Sequence, residues 1–173
     1  MKKYILNNLL SYFFGFFLIF SPLAFAESVL DVTEEDFIMG GENAPITIIE
    51  YASLSCSHCA DFHINTLPEL IKEFVDTGKA RIVFRDFPFN YPALLGSMVL
   101  RCVPRDIRYE YSNALYHLQS KWVLRENAKT TQELYKIMQS GGMTKERFNE
   151  CIDNVDLENE ILQGVMASQS EFN

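Results

Sequence analysis

Glycine, proline and basic residues are all scarce in this 173-residue chain. The 8 glycines and 6 prolines accompany no repeat and no low-complexity tract, so the composition is that of an ordinary globular protein with one real core. Fifteen Lys and Arg stand against 23 Asp and Glu, a net charge of −8. That balance repels nucleic acid and anionic lipid, and excludes both as partners. A single Cys-x-x-Cys occurs, Cys56 to Cys59, with no second copy and no His-x-x-x-His. A zinc site built on Cys56, Cys59 and His63 is therefore short of ligands, and no metal or cofactor is expected.

The first 26 residues are a different material. Lys2 and Lys3 precede an apolar run from Leu9 to Phe20, and Ala24-Phe25-Ala26 follows. A basic start, a short apolar centre and an Ala-x-Ala end are the pattern of a cleaved secretory signal peptide. The competing reading, an uncleaved membrane anchor, needs about 20 apolar residues. Export places the chain where disulfides persist, so four cysteines read as two pairs. Three connectivities are open to four cysteines. The close pair Cys56 and Cys59 leaves Cys102 with Cys151, which reads as a structural bridge between two helices rather than two free thiols.

From Glu27 to Glu35 the chain reads as a loose polar lead-in. Asp36 to Met39 reads as a short strand ended by Gly40-Gly41. Ile46 to Tyr51 is apolar and β-branched along nearly its whole length, the pattern of a central strand. Apolar residues then recur at helical spacing to about Asp76, with a kink expected at Pro68 and a stop at Gly78. Ala80 to Phe87 reads as another strand. Strand, helix and strand within about 40 residues predict a βαβ unit with parallel strands and a right-handed crossover.

Beyond Pro92 the pattern is helical. Helices are predicted over 93–103, from 106 to about 119, over 134–139 behind a Thr130–Glu133 capping box, from Thr144 to Ile152, and from 156 or 157 to about 168. The fold class is α/β, a βαβ unit carrying a helical block.

Cys56-Ser57-His58-Cys59 stands where strand gives way to helix. The reactive species of a cysteine is the thiolate, and unpaired N–H groups at a helix start stabilise it. Cys56 is the expected acidic nucleophile and Cys59, a turn further in, the resolving thiol. His58 between them can supply positive charge to the Cys56 thiolate. Glu50, in an apolar strand, is a candidate acceptor for the Cys59 proton if buried, and a solvated strand-end carboxylate if not. A purely structural use of the close pair is disfavoured, because so short a disulfide loop is labile. His63 and His117 read as helix-surface residues.

ITIIEYASLSCSHC, the proline-kinked helix, ARIVFRDFPF and the block ending KERFNECIDN together resemble the DsbA-like thiol:disulfide oxidoreductases of the thioredoxin superfamily. The resemblance runs from about Asp36 to the end. It implies a signal peptide at 1–26, a thioredoxin-like portion at 27–92 and a helical insertion domain at 93–173. It implies a periplasmic oxidase that gives its disulfide to newly exported cysteine-containing proteins and is reoxidised by a DsbB-like membrane quinone reductase. Cys56 matches the family's attacking cysteine, Cys59 its buried one, Glu50 its buried acid and His58 the histidine of its dipeptide. Ser57 departs from the usual proline. An extra cysteine pair in the helical domain of some relatives fits Cys102 and Cys151. Family members continue into a cis-proline loop and antiparallel strands, whereas no proline follows Pro104 here. The resemblance thus implies that those C-terminal strands are missing, with a weakly active remnant, or a Cys/His metal-binding module, as the alternatives to an oxidase.

Overall fold

The computed structural model describes residues 28–172, and the signal-peptide reading of residues 1–26 lies outside them. Three strands form the sheet: β1 (Phe37–Met39), β2 (Ile46–Ala52) and β3 (Ala80–Asp86). Their spatial order is β1-β3-β2. β1 runs antiparallel to β3, Phe37 opposite Phe84, and β2 runs parallel to β3, Glu50 opposite Phe84. Among the described residues β3 is the middle strand, and β2, expected to be central, pairs on one side. The burial agrees: Ile82 and Val83 are sealed, whereas Ile46 at the start of β2 is 53% exposed. β-branched composition reports a strand that packs well, and an edge strand packed on one face satisfies it too.

The helix after β2 is also not the single kinked rod its periodicity predicts. It runs as α1 (Ser57–Asp61), a π turn (Phe62–Thr66), α2 (Leu67–Leu70) and a second π turn (Ile71–Val75). Pro68 sits in the first turn of α2, directly after the π turn. The turn before it bonds i to i+5, with the Leu67 N–H donating to the Phe62 carbonyl. An extra residue taken up in that turn accommodates the proline within the helix. Gly78, at φ +73°, then reverses the chain into β3.

The helical block comprises α3 (Tyr91–Arg101), a 3₁₀ turn (Arg105–Ile107), α4 (Arg108–His117), α5 (Gln119–Trp122), α6 (Asn127–Ser140), α7 (Lys145–Ile152) and α8 (Val155–Phe172). Asn90 caps α3 by accepting from the Ala93 N–H at 3.0 Å, and Thr144 caps α7 by accepting from the Arg147 N–H at 3.2 Å. Thr130 does not cap a helix beginning at Leu134. It lies inside α6, fully buried, with its hydroxyl donating to the Leu124 carbonyl at 3.1 Å. A threonine hydroxyl satisfies a loop carbonyl as readily as a helix N–H, which is why the capping pattern misplaces this start.

The main core gathers around Trp122, with Leu95, Val99, Leu115, Leu134, Met138 and Phe148. Leu54 and Ala60, which bracket the cysteine motif, belong to the same core. A smaller cluster, Leu67, Val75 and Ile82, joins the helix after β2 to the sheet. Arg101 ties three elements together, pairing with Asp86 of β3 at 2.7 Å and with Glu160 of α8. Nor is the polar lead-in loose. Arg85 binds both Asp36 carboxylate oxygens at 2.7 Å and donates to the backbone carbonyls of Val29 and Asp31.

Candidate active site

Cys56 is the residue before α1, its backbone extended at φ −81°, ψ 122°, and its carbonyl accepts from the Ala60 N–H at 3.0 Å. Two anchors fix this corner. The Gln119 amide nitrogen donates to the carbonyls of Leu54 (3.0 Å) and Cys56 (2.9 Å), and the Ser55 hydroxyl donates to Asn90 Oδ1 at 3.0 Å. Both anchors come from the helical block. No local sequence pattern marks Gln119 or Asn90 for this, because the contacts span 63 and 35 residues.

Cys56 and Cys59 are both free thiols and both half-buried. Their environments drive them apart. Slight burial opposes ionisation of Cys56, but the Cys59 backbone N–H, the Cys59 thiol and the His58 backbone N–H outweigh it and hold the pKa below the ordinary 9.0. Cys59 is pushed up to about 11, chiefly by burial and further by the neighbouring Cys56 and Glu50 charges. The arrangement favours a Cys56 thiolate accepting from a Cys59 thiol.

His58 reaches this site through its backbone, and its imidazole is exposed. Glu50 lies behind the cysteines with its side chain 15% exposed. It has a partner that the sequence reading misses. His63 is 2% exposed, not on the helix surface, and its Nε2 stands 3.1 Å from both Glu50 carboxylate oxygens. It stands three residues after the buried Ala60 and four before the sealed Leu67, so helical spacing places it on the inward face. His117 does remain on the surface. Cys102 and Cys151 are joined in a disulfide between the end of α3 and α7.

The sequence profile of the thioredoxin family matches residues 32–172. The chain belongs to that family. Its DsbA-like character rests on specific relatives. The Wolbachia pipientis protein alpha-DsbA1 superposes with a TM-score of 0.76 at 29% identity, covering 82% of this chain and 71% of that one. A Rickettsia prowazekii protein named "Putative protein-disulfide oxidoreductase" is 30% identical over 125 residues, which is 71% of this chain and 45% of that protein. A protein-disulfide isomerase structure from Novosphingobium aromaticivorans, at 19% identity and a TM-score of 0.75, shares the fold. This DsbA-like chain thus spans about 45% of the length of the Rickettsia relative it matches. Within it the thioredoxin-like sheet and the helical insertion meet at the cysteine corner.

Proposed function

We propose that this protein is an exported protein-disulfide oxidase that works through the Cys56–Cys59 pair. One observation carries the reading: two free thiols three residues apart, one held below and the other well above the ordinary thiol pKa. Stabilising a thiolate stabilises the reduced enzyme, and so makes the oxidised pair a stronger oxidant.

In the oxidised enzyme a substrate thiolate attacks Cys56 Sγ and the Cys56–Cys59 bond breaks. The electron pair leaves on Cys59, whose high proton affinity draws a proton by way of Glu50. A second substrate thiolate then attacks the substrate sulfur of the mixed disulfide, and Cys56 departs as a stable thiolate. The substrate gives up two electrons and becomes a disulfide; the enzyme ends as Cys56 thiolate and Cys59 thiol. Glu50 acts as proton donor in this direction and as acceptor when the enzyme is reoxidised. His58 assists through its N–H.

The substrates we propose are newly exported cysteine-containing proteins in the periplasm, and the reoxidant a DsbB-like membrane quinone reductase. The apolar, basic-headed N-terminus and the DsbA-like relatives support that setting. A Cys/His metal module is less well supported, since His63 Nε2 faces Glu50 rather than the sulfurs. The test is oxidation of a reduced two-cysteine peptide by the purified protein. Turnover well above a Cys56→Ala control is expected. A rate equal to that control overturns the proposal.

A further inference from the structure

We propose that His63 is the proton relay of this site: it positions Glu50 through Nε2 and connects it through Nδ1 to the cavity that His63 lines. The inference deepens the reading of Glu50 as the group that exchanges a proton with Cys59, and rests on it.

Three observations carry it. His63 Nε2 is shared between both oxygens of Glu50, at 3.1 Å each. Its ring lies tilted against that of Tyr116, centroids 4.1 Å apart at 31°. Its other nitrogen, Nδ1, is buried with no protein partner among the described residues. A buried polar atom without a partner costs free energy and calls for a reason. His63 also lines a cavity of about 110 Å³, together with Ser112, Tyr116, Asp86 and Arg101. That volume exceeds several-fold what one water needs, and its wall is polar enough to hold water.

The charges facing His63 are consistent with relay. β2 presents Glu50, and α4 presents Tyr116, whose phenol burial and the Glu50 charge keep protonated. β3 presents the Phe84 ring, 5.9 Å away, and Asp86, which pairs with Arg101 in the cavity wall at 2.7 Å. Cys59 lies one turn back along the same helix. With Nε2–H donating to ionised Glu50, Nδ1 carries the free lone pair. When Cys59 leaves as a thiolate, Glu50 takes the Nε2 proton and passes it to Cys59, while Nδ1 takes one from cavity water, so the ring changes tautomer and Glu50 is again ionised. The net change is one solvent proton on Cys59, and reoxidation runs the same path backwards.

The experiment follows reduction of the oxidised full chain by dithiothreitol from pH 5 to 9 in the wild type, His63→Gln, His63→Phe and Glu50→Gln. Glutamine keeps a donor for Glu50 but cannot pass a proton. A loss of about 10-fold or more is expected for all three variants, with the pH profile flattened and Cys56 alkylation unchanged. A wild-type rate and profile in His63→Gln overturns the relay, and if His63→Phe alone is slow the ring merely positions Glu50. Loss in Glu50→Gln without loss in either His63 variant rejects the relay and leaves Glu50 standing. No loss in Glu50→Gln rejects the Glu50 reading itself. Nitrogen-15 NMR of wild-type His63 decides even if the variants misfold: a change of ring tautomer between the oxidised and the reduced protein is expected, and a ring fixed in one tautomer overturns the proposal.

Discussion

Cys56 and Cys59 share a helix turn and differ by what each sulfur faces. Cys56 sees the backbone N–H groups of His58 and Cys59; Cys59 sees burial and the Glu50 carboxylate. The thiolate absorbance of the reduced protein is therefore expected to rise in two separate steps, one below pH 9.0 and one near 11. A single step near the ordinary thiol value would contradict the assignment. The linkage follows with opposite signs. Cys56, depressed, gives the reduced fold a stability that is complete above pH 9.0 and lost as pH falls through its folded value. Cys59, raised, gives one that is complete below 9.0 and lost as pH climbs towards about 11. The same asymmetry predicts that Cys59→Ser accumulates a mixed disulfide with a peptide substrate, detectable by mass, while Cys56→Ala forms none. Both cysteines and Glu50 are legible in the sequence because they lie close together along the chain at a strand–helix junction. His63 is not, since what makes it part of the site is Glu50, a partner on another element 13 residues away.

At the scale of elements, α3 and the α4–α5 corner hold the cysteine loop from behind. Gly96 of α3 is where they come closest: a β-carbon built there would lie 2.9 Å from Trp122 Cη2 and 3.0 Å from Leu54 Cδ1. Trp122 cannot retreat easily, being fully buried with its indole N–H donating to the Leu115 carbonyl at 2.9 Å. Gly96→Ala is expected to destabilise the fold by about 1–3 kcal/mol through overpacking, despite the better helix propensity of alanine. Thermal or urea unfolding measures it, and an unchanged or raised midpoint would show that Leu54 and Trp122 repack freely. Helix existence is well marked in this region and helix starts are not. Thr130 illustrates the difference, since its hydroxyl serves the Leu124 carbonyl from within α6. Periodicity reports which face is apolar, and says little about which neighbour a short polar side chain will choose.

Across the whole molecule, contacts distant in sequence decide what local pattern cannot. Strand order is one case: apolar content marks Ile46–Ala52 and Ala80–Asp86 alike, and only pairing with β1 makes β3 the middle strand. The Cys102–Cys151 disulfide is another, closing the chain between α3 and α7 over a separation of 49 residues. Constraining that loop in the unfolded chain is worth about 4 kcal/mol on the chain-entropy estimate. Cys151 is sealed in the core beside Phe148, so Cys102→Ala with Cys151→Ala adds a small packing loss to the entropic one. The double variant is expected to unfold at markedly lower temperature or urea concentration. Its local effect on the redox pair should be slight, because the corner at Cys56 is held by Gln119 and Asn90 rather than by the bridge. Cys56 alkylation at neutral pH in the folded double variant is therefore expected to match the wild type within about two-fold, which corresponds to roughly 0.4 kcal/mol. A large drop in that rate, with the fold intact, would mean that the distant disulfide sets the position of α3 and through it the geometry of the cysteine loop.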